Sequence, residues 1–146
     1  MVTMEAPRLF TKMRARRGEA AEGDVFDPNC ATRLVLDRIG DKWTVLVVLL
    51  LSDGPMRFSE LRAHLGAVAP KVLTQTLRRI ERDGLVTRRV YAEVPPRVEY
   101  TLTDLGSSLT RPIAVVADWA ETHVGEITAA QQVYDAQQAA DARADA

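Results

Sequence analysis

Four long polar side chains recur at helical spacing in the middle of the chain and could together read the edges of nucleic acid bases. They are Lys71, Gln75, Arg78 and Arg82. Arginine and glutamine are the side chains that make bidentate hydrogen bonds with guanine and adenine in a major groove. At about 100° per residue, Leu73, Leu77 and Ile80 fall on the opposite side and predict a buried stripe. Residues 69–83 therefore predict an amphipathic helix, which is either a DNA-reading helix or a solvated surface helix.

A second basic segment follows this helix and predicts a β-hairpin. Residues 86–102 are rich in β-branched and aromatic side chains in an alternating pattern, and two prolines interrupt them near the middle. Because proline cannot donate a hydrogen bond to a strand ladder, both prolines belong in the loop. The hairpin carries Arg88, Arg89 and Arg97. A helix-turn-helix followed by such a hairpin is a winged helix, whose second helix enters the major groove and whose wing places an arginine near a minor groove or a phosphate.

The candidate DNA-binding residues lie on the helix, on the wing and just before the first helix of the pair. They are Arg57, Lys71, Thr74, Gln75, Arg78, Arg79, Arg82, Arg88 and Arg97. Those expected nearest the bases are Lys71, Thr74, Gln75 and Arg78. Those expected to hold phosphates are Arg57, Arg79 and Arg82, while Arg97 at the wing tip reaches a minor groove or the backbone.

The net charge of −1 averages over two regions of opposite sign. Residues 57–102 contain nine basic and five acidic side chains, whereas residues 118–146 contain one basic and six acidic side chains. The local sign matters more to a partner than the sum does. The basic middle therefore predicts a polyanionic partner, double-stranded DNA.

Length and composition predict one cytoplasmic domain with extensions. The chain has 146 residues, of which 47% are hydrophobic, and its one cysteine excludes an internal disulfide framework. No apolar run approaches the roughly 18 residues of a membrane span, and no apolar stretch follows the charged N-terminus as in a secretory signal. We therefore expect a cytoplasmic protein without a membrane partner.

The segments before and after the basic middle complete the prediction. The expected fold is a mainly α-helical winged helix-turn-helix with a β-hairpin. The expected division is a flexible basic arm (1–27), a DNA-binding domain with dimerisation helices (28–125) and an acidic tail that is helical or frayed (126–146). Helices are expected from an N-cap at Asn29 to Ile39, over residues 42–51, and over residues 60–65 after a cap at Ser59. Residues 57–58 form a short extended link in this prediction.

A long helix is expected after an N-cap at Thr103. Its apolar residues recur at spacings of three or four and exceed what a small winged helix can cover, which predicts pairing with a second copy. Pro112 is expected to kink it. A further short helix is expected near Ile127, followed by a fraying end.

Five motifs stand in order along the chain. They are residues 39–44 (IGDKWT), 54–61 (GPMRFSEL), 73–78 (LTQTLR), 83–88 (DGLVTR) and 95–103 (PPRVEYTLT). Together they resemble the HxlR-type family of bacterial transcriptional regulators, over a match from Cys30 to about Trp119. The resemblance implies a homodimeric winged helix, with the long C-terminal helix and the N-terminal helices at the interface. It also implies regulation of nearby operons through a palindromic operator, and we expect a repressor.

The chain departs from the family pattern at two positions. Asp41 replaces the usual second glycine, which is harmless at an N-cap, and Ala31 replaces the proline that often follows the first cysteine. The second departure leaves the local backbone less constrained.

Cys30 is the candidate sensor of a signal. Several members of the family resemble redox or electrophile sensors with a cysteine at this position. Independently of that resemblance, a thiol in the first turn of a helix feels the positive end of the dipole, which favours the reactive thiolate. An oxidant or electrophile would then produce a disulfide to a second subunit, a mixed disulfide or a covalent adduct. The alternative is that Cys30 only packs as a small buried hydrophobe.

Two other functions stay open at this point. One is a MarR-like regulator switched by a reversible small ligand, in a dimer-interface pocket lined by Trp43 and Trp119. The other is a winged-helix protein-interaction module. An enzyme is not indicated, because no phosphate-binding glycine motif or catalytic set is present and because His64 and His123 lack a second ligand at metal spacing. We expect no catalytic residue, no metal and no cofactor.

Overall fold

The computed structural model describes Val25 and residues 29–146, so nearly all of the predicted N-terminal arm lies outside the described residues. The chain divides into two compact units between Val45 and Leu46. The elements in order are α1 (Ala31–Ile39), α2 (Lys42–Leu51), β1 (Met56–Arg57), α3 (Phe58–Leu65), α4 (Pro70–Arg82), β2 (Val86–Tyr91), β3 (Arg97–Leu102) and α5 (Asp104–Ala144). This mainly helical architecture with a small antiparallel sheet confirms the predicted winged helix-turn-helix class. Within the described part of the chain, no helix is sufficiently long and apolar to cross a membrane.

The first unit contains α1 and the start of α2. The N-cap of α1 is Cys30, one residue later than the predicted cap at Asn29, and Gly40 ends the helix as expected. The carboxylate of Asp41 accepts hydrogen bonds from the backbone N–H of Thr44 at 3.2 Å and from its hydroxyl at 3.0 Å. Asp41 therefore caps α2, which explains why an aspartate fits where the family pattern has glycine.

The core of the second unit is formed by apolar side chains from α2, α3, α4 and α5, from β2 and β3, and from the turn before α4. Its buried members are Val47, Val48, Leu51, Leu61, Val68, Leu73, Leu77, Ile80, Val86, Tyr100 and Ile113. Full burial of one such aliphatic side chain stabilises a fold by about 1.5–3 kcal/mol. The three members on α4 are the predicted stripe, so this core sets the rotation of α4 about its own axis.

The sheet has three antiparallel strands in the order β1-β3-β2. In the hairpin, Val86 lies opposite Leu102 and Tyr91 lies opposite Arg97. Met56 lies opposite Tyr100, which makes residues 56–57 a strand. The sequence predicted only an extended link at residues 57–58, so both the strand and the start of α3 at Phe58 correct that prediction.

Helix α5 is one continuous helix of 41 residues. The Thr103 side chain caps it by accepting a hydrogen bond from the Gly106 N–H at 3.1 Å, as predicted. The helix passes through Pro112 and continues to Ala144, so the expectation of a separate helix near Ile127 is wrong. Proline costs a helix one hydrogen bond, and the Ala- and Gln-rich residues beyond it have high helix propensity.

Candidate nucleic-acid interface

Helix α4 has one buried and one solvent-facing side. Leu73, Thr76, Leu77 and Ile80 are buried in the core. The opposite side is exposed and consists of Lys71, Gln75, Arg78, Arg79 and Arg82. Because the buried residues hold the helix in place, the long polar side chains must point into solvent, where a large polyanion can reach them.

The backbone at each end of α4 keeps this helix short and sharply bounded. Pro70 occupies the first turn, where its missing N–H costs nothing. At the other end, Gly84 has a φ of 76°, which favours glycine, and its N–H donates to the carbonyl of Glu81 at 3.0 Å. The chain then enters β2 directly, and α4 packs against that strand.

Thr74 lies at the edge of the exposed side and is half-buried. Its hydroxyl donates to the carbonyl of Pro70 at 2.8 Å. The hydroxyl proton therefore takes part in a hydrogen bond within the helix, and Thr74 can offer a base only its oxygen lone pairs or its methyl group.

The outer face of the wing carries the side chains of Arg89, Tyr91 and Arg97, and the two arginines lie over the tyrosine ring. The guanidinium carbon of Arg97 lies 3.9 Å from the centroid of the Tyr91 ring, and that of Arg89 lies 4.7 Å from it. Arg97 Nη2 also lies 3.4 Å from Oε1 of Glu93. Of the two arginines, only Arg97 belongs to the predicted set of DNA-binding residues.

The inner face of the wing carries Arg88, which lies opposite Tyr100 in the ladder. Burial raises the pKa of the Tyr100 hydroxyl, and a hydrogen bond and the positive charge from Arg88 act against that rise. Glu81 and Arg78 of α4 are also close enough to influence the pKa of this hydroxyl. Arg88 therefore contacts Tyr100 on one face of the wing, with the positive charge of Arg78 also acting on that hydroxyl, while Arg97 lies on the opposite face of the wing.

Arg57 lies on the neighbouring strand β1, and the register places it on the same face of the sheet as Arg89 and Arg97. It is the last residue of β1, opposite Glu99 in the sheet, and its Nε lies 3.7 Å from Oε1 of Glu60. Both side chains of this pair are about half exposed, so the pairing is weak. A phosphate could displace Glu60 from Arg57 at little cost.

Cys30 lies in the first unit, at the N-cap of α1, and is half-buried. His123 stacks on Trp119 within α5, with ring centroids 4.6 Å apart. Among the described residues, no group of three or more His, Cys, Asp and Glu side chains could hold a metal ion.

Three wing residues near the predicted arginines were not singled out from the sequence. Tyr91 and Glu93 contact Arg97, and Tyr100 contacts Arg88. The alternating pattern predicts which side chains share a face of the hairpin. It does not predict the cross-strand register that pairs Tyr91 with Arg97, and that register is needed to recognise the contact.

Comparisons with known proteins agree with this geometry. A family model described as HxlR-like helix-turn-helix matches residues 38–128. The HTH-type transcriptional regulator YtfH of Escherichia coli strain K12 is 42% identical over 108 residues, which cover 74% of this chain and 86% of that protein.

Solved structures resemble the fold over most of their own length. The transcriptional regulator YtfH from Salmonella typhimurium has a TM-score of 0.72 at 40% identity, covering 76% of this chain and 99% of that one. The redox regulator HypR in its reduced form has a TM-score of 0.62 at 36% identity, covering 67% of this chain and 97% of that one. With more than half of its length matched by the family model, the chain belongs to the HxlR-like helix-turn-helix family of transcriptional regulators.

Proposed function

We propose that the chain is a homodimeric transcriptional repressor that reads a palindromic DNA operator with α4 and the wing. The observation that carries this proposal is the two-sided character of α4. Its buried stripe anchors the helix to the core, and the opposite side offers one lysine, one glutamine and three arginines to solvent. A helix held this way can be inserted into a major groove without disturbing the core.

Each part of this surface has its own role in the proposal. The side chains that read bases are Lys71, Thr74, Gln75 and Arg78. The side chains that hold phosphates are Arg57, Arg79 and Arg82, with Arg88 and Arg97 added by the wing. A good bidentate contact with a base contributes about 1–3 kcal/mol of discrimination, whereas phosphate contacts add affinity without sequence preference.

The dimer is proposed to form through apolar residues that a monomer leaves in solvent. Those on α5 are Leu105, Val115, Val116, Trp119, Val124, Ile127, Val133 and Tyr134, and those on α1 are Leu34, Val35 and Leu36. Large exposed apolar patches mark interaction surfaces. A two-fold dimer would present two copies of α4 about 34 Å apart, which is one turn of DNA.

Cys30 is proposed to switch DNA binding when an oxidant or electrophile modifies it. Its position at the N-cap of α1 and its partial exposure support this, because a helix N-terminus favours a thiolate and a thiolate must be reachable to react. HypR, a redox regulator with 36% identity to this chain, supports the same reading.

Operator recognition is tested by titrating the protein against labelled upstream DNA of its own gene and against a shuffled duplex. Arg78→Ala should lower discrimination between the two by roughly fivefold to a hundredfold. Arg143→Ala, on the acidic end of α5, is the matched control and should leave discrimination unchanged. Equal selectivity of Arg78→Ala and the parent would contradict the assignment of α4 as the reading helix.

Dimerisation is tested by sedimentation of the parent and of Val116→Asp. The aspartate places a charge in the middle of the proposed interface, so the variant should sediment as a monomer while keeping its helical circular dichroism. A parent that is monomeric at micromolar concentration would contradict the dimer.

The switch is tested by repeating the titration after treatment with a mild oxidant or a quinone. Wild-type protein should lose binding and Cys30→Ser should keep it. If both proteins keep binding, the signal is a reversible ligand rather than thiol chemistry. If neither protein binds any duplex before treatment, a protein partner replaces DNA as the leading hypothesis.

A further inference from the structure

We propose that Tyr91 is a positioning residue for DNA binding. Its ring holds the guanidinium groups of Arg89 and Arg97 on the outer face of the wing, so that both are preordered for phosphates. The inference rests on the proposed DNA-binding function. It gives an energetic role to an aromatic residue that need not touch DNA itself.

The sheet register creates this arrangement. Tyr91 and Arg97 form the last cross-strand pair of the hairpin, and Arg89 lies two residues earlier on the same strand and the same face. Their guanidinium carbons lie 3.9 Å (Arg97) and 4.7 Å (Arg89) from the ring centroid. Both distances lie within the roughly 6 Å over which a ring attracts a cation.

The ring matters because the two arginines repel each other. Arg89 and Arg97 carry like charges on the same face of the hairpin and repel each other, whereas Glu99, which lies opposite Arg89 on that face, attracts Arg89. The negative face of the ring offsets this repulsion. Side chains that are ordered before binding lose less conformational freedom when they meet DNA, which raises affinity.

Arg97 depends on the ring more than on hydrogen bonds. Its Nε is buried and has no hydrogen-bond acceptor among the residues that the structure describes. Its Nη2 lies 3.4 Å from the half-exposed carboxylate of Glu93, a distance and an exposure that make this pair weak. The contact with Tyr91 is therefore the main constraint on the orientation of the guanidinium group.

The test compares Tyr91→Leu and Tyr91→Phe in full-length protein, using the upstream duplex and a shuffled duplex. Tyr91→Leu should weaken binding to both duplexes by roughly threefold to thirtyfold, because the contacts involved are to phosphates. Tyr91→Phe keeps the ring and should bind like the parent. Val90→Thr, on the opposite face of the same strand, controls for damage to the hairpin.

A background that lacks both arginines separates positioning from folding. In the Arg89→Ala, Arg97→Ala protein, adding Tyr91→Leu should change affinity by less than about twofold, because the ring has nothing left to position. The same loss in both backgrounds, or a Tyr91→Phe protein as weak as Tyr91→Leu, would overturn the proposal.

Nuclear magnetic resonance provides a readout without DNA. The side-chain signals of Arg97 should be shifted upfield by the Tyr91 ring in the parent and in Tyr91→Phe, and should return to ordinary positions in Tyr91→Leu. Unchanged signals in Tyr91→Leu would overturn the proposal. A parent that binds both duplexes equally would contradict operator recognition but leave the comparison at Tyr91 valid, whereas a parent that binds no duplex would overturn both.

Discussion

The backbone of Gly106 packs directly against the carbonyl group of Leu85. A β-carbon at position 106 would collide with that oxygen and would also lie 3.0 Å from Cδ2 of Leu102. The oxygen cannot easily retreat, because it accepts a hydrogen bond from the Thr103 N–H at 3.0 Å. The start of α5 therefore packs closely against the segment that joins α4 to the wing, and only glycine permits this short distance.

Gly106→Ala should lower the free energy of unfolding by about 1–3 kcal/mol, because the added methyl group must displace backbone atoms. The cost of the steric clash should exceed the gain of up to about 1 kcal/mol that replacing glycine with alanine normally gives within a helix. Gly125→Ala is the matched control, since a β-carbon there meets nothing within 4 Å, and it should be neutral or stabilising. Denaturant unfolding of both variants makes the comparison, and equal shifts would contradict the close approach.

Thr103 is expected to stabilise the start of α5, because its hydroxyl both accepts and donates a hydrogen bond. The hydroxyl oxygen accepts from the Gly106 N–H at 3.1 Å, and the hydroxyl proton goes to the carbonyl of Gly84. Thr103→Ala should therefore cost about 0.5–2 kcal/mol of unfolding free energy, and Thr103→Ser should recover most of it. Thr128→Ala, at an exposed helical position, should not destabilise. If Thr103→Ser is as unstable as Thr103→Ala, then the β-methyl group rather than the hydroxyl matters.

The sequence predicted the parts of this protein that local patterns determine. Helix α4 and its exposed polar side follow from apolar residues at spacings of three and four, and the hairpin follows from alternation around two prolines. Strand β1 could not be predicted, because two residues carry no periodicity and Met56 becomes a strand residue only by pairing with β3. The contact between Tyr91 and Arg97 likewise depends on a register that the length and turn geometry of the loop decide.

Burial of Tyr100 predicts a specific pH dependence of stability. Its pKa is raised from the usual value of 10.0, chiefly by burial. Folding therefore favours the protonated phenol, and this contribution is fully present below pH 10 and is lost as pH rises from about 10 through the folded-state pKa. The free energy of unfolding should fall more steeply in this range for the parent than for Tyr100→Phe. Parallel curves, measured by denaturant titration at several pH values, would contradict the effect of burial.

Glu93 competes with DNA for Arg97 in the proposed complex. Its carboxylate lies 3.4 Å from Nη2 of Arg97 and adds negative charge at the tip of the wing, where a phosphate would bind. Glu93→Gln removes that charge and should tighten binding to any duplex by roughly twofold to fivefold at low salt. The gain should shrink as salt is added, because screening weakens the competing charge.

The Glu93→Gln measurement needs a control for net charge. Glu121→Gln makes the same change on α5 and should leave affinity unaltered if the effect is local to the wing. The gain from Glu93→Gln should also vanish in an Arg97→Ala protein, because the competition needs that guanidinium group. If Glu93→Gln instead weakens binding while Arg97 is present, the carboxylate orients Arg97 toward DNA, and the two groups act together rather than in competition.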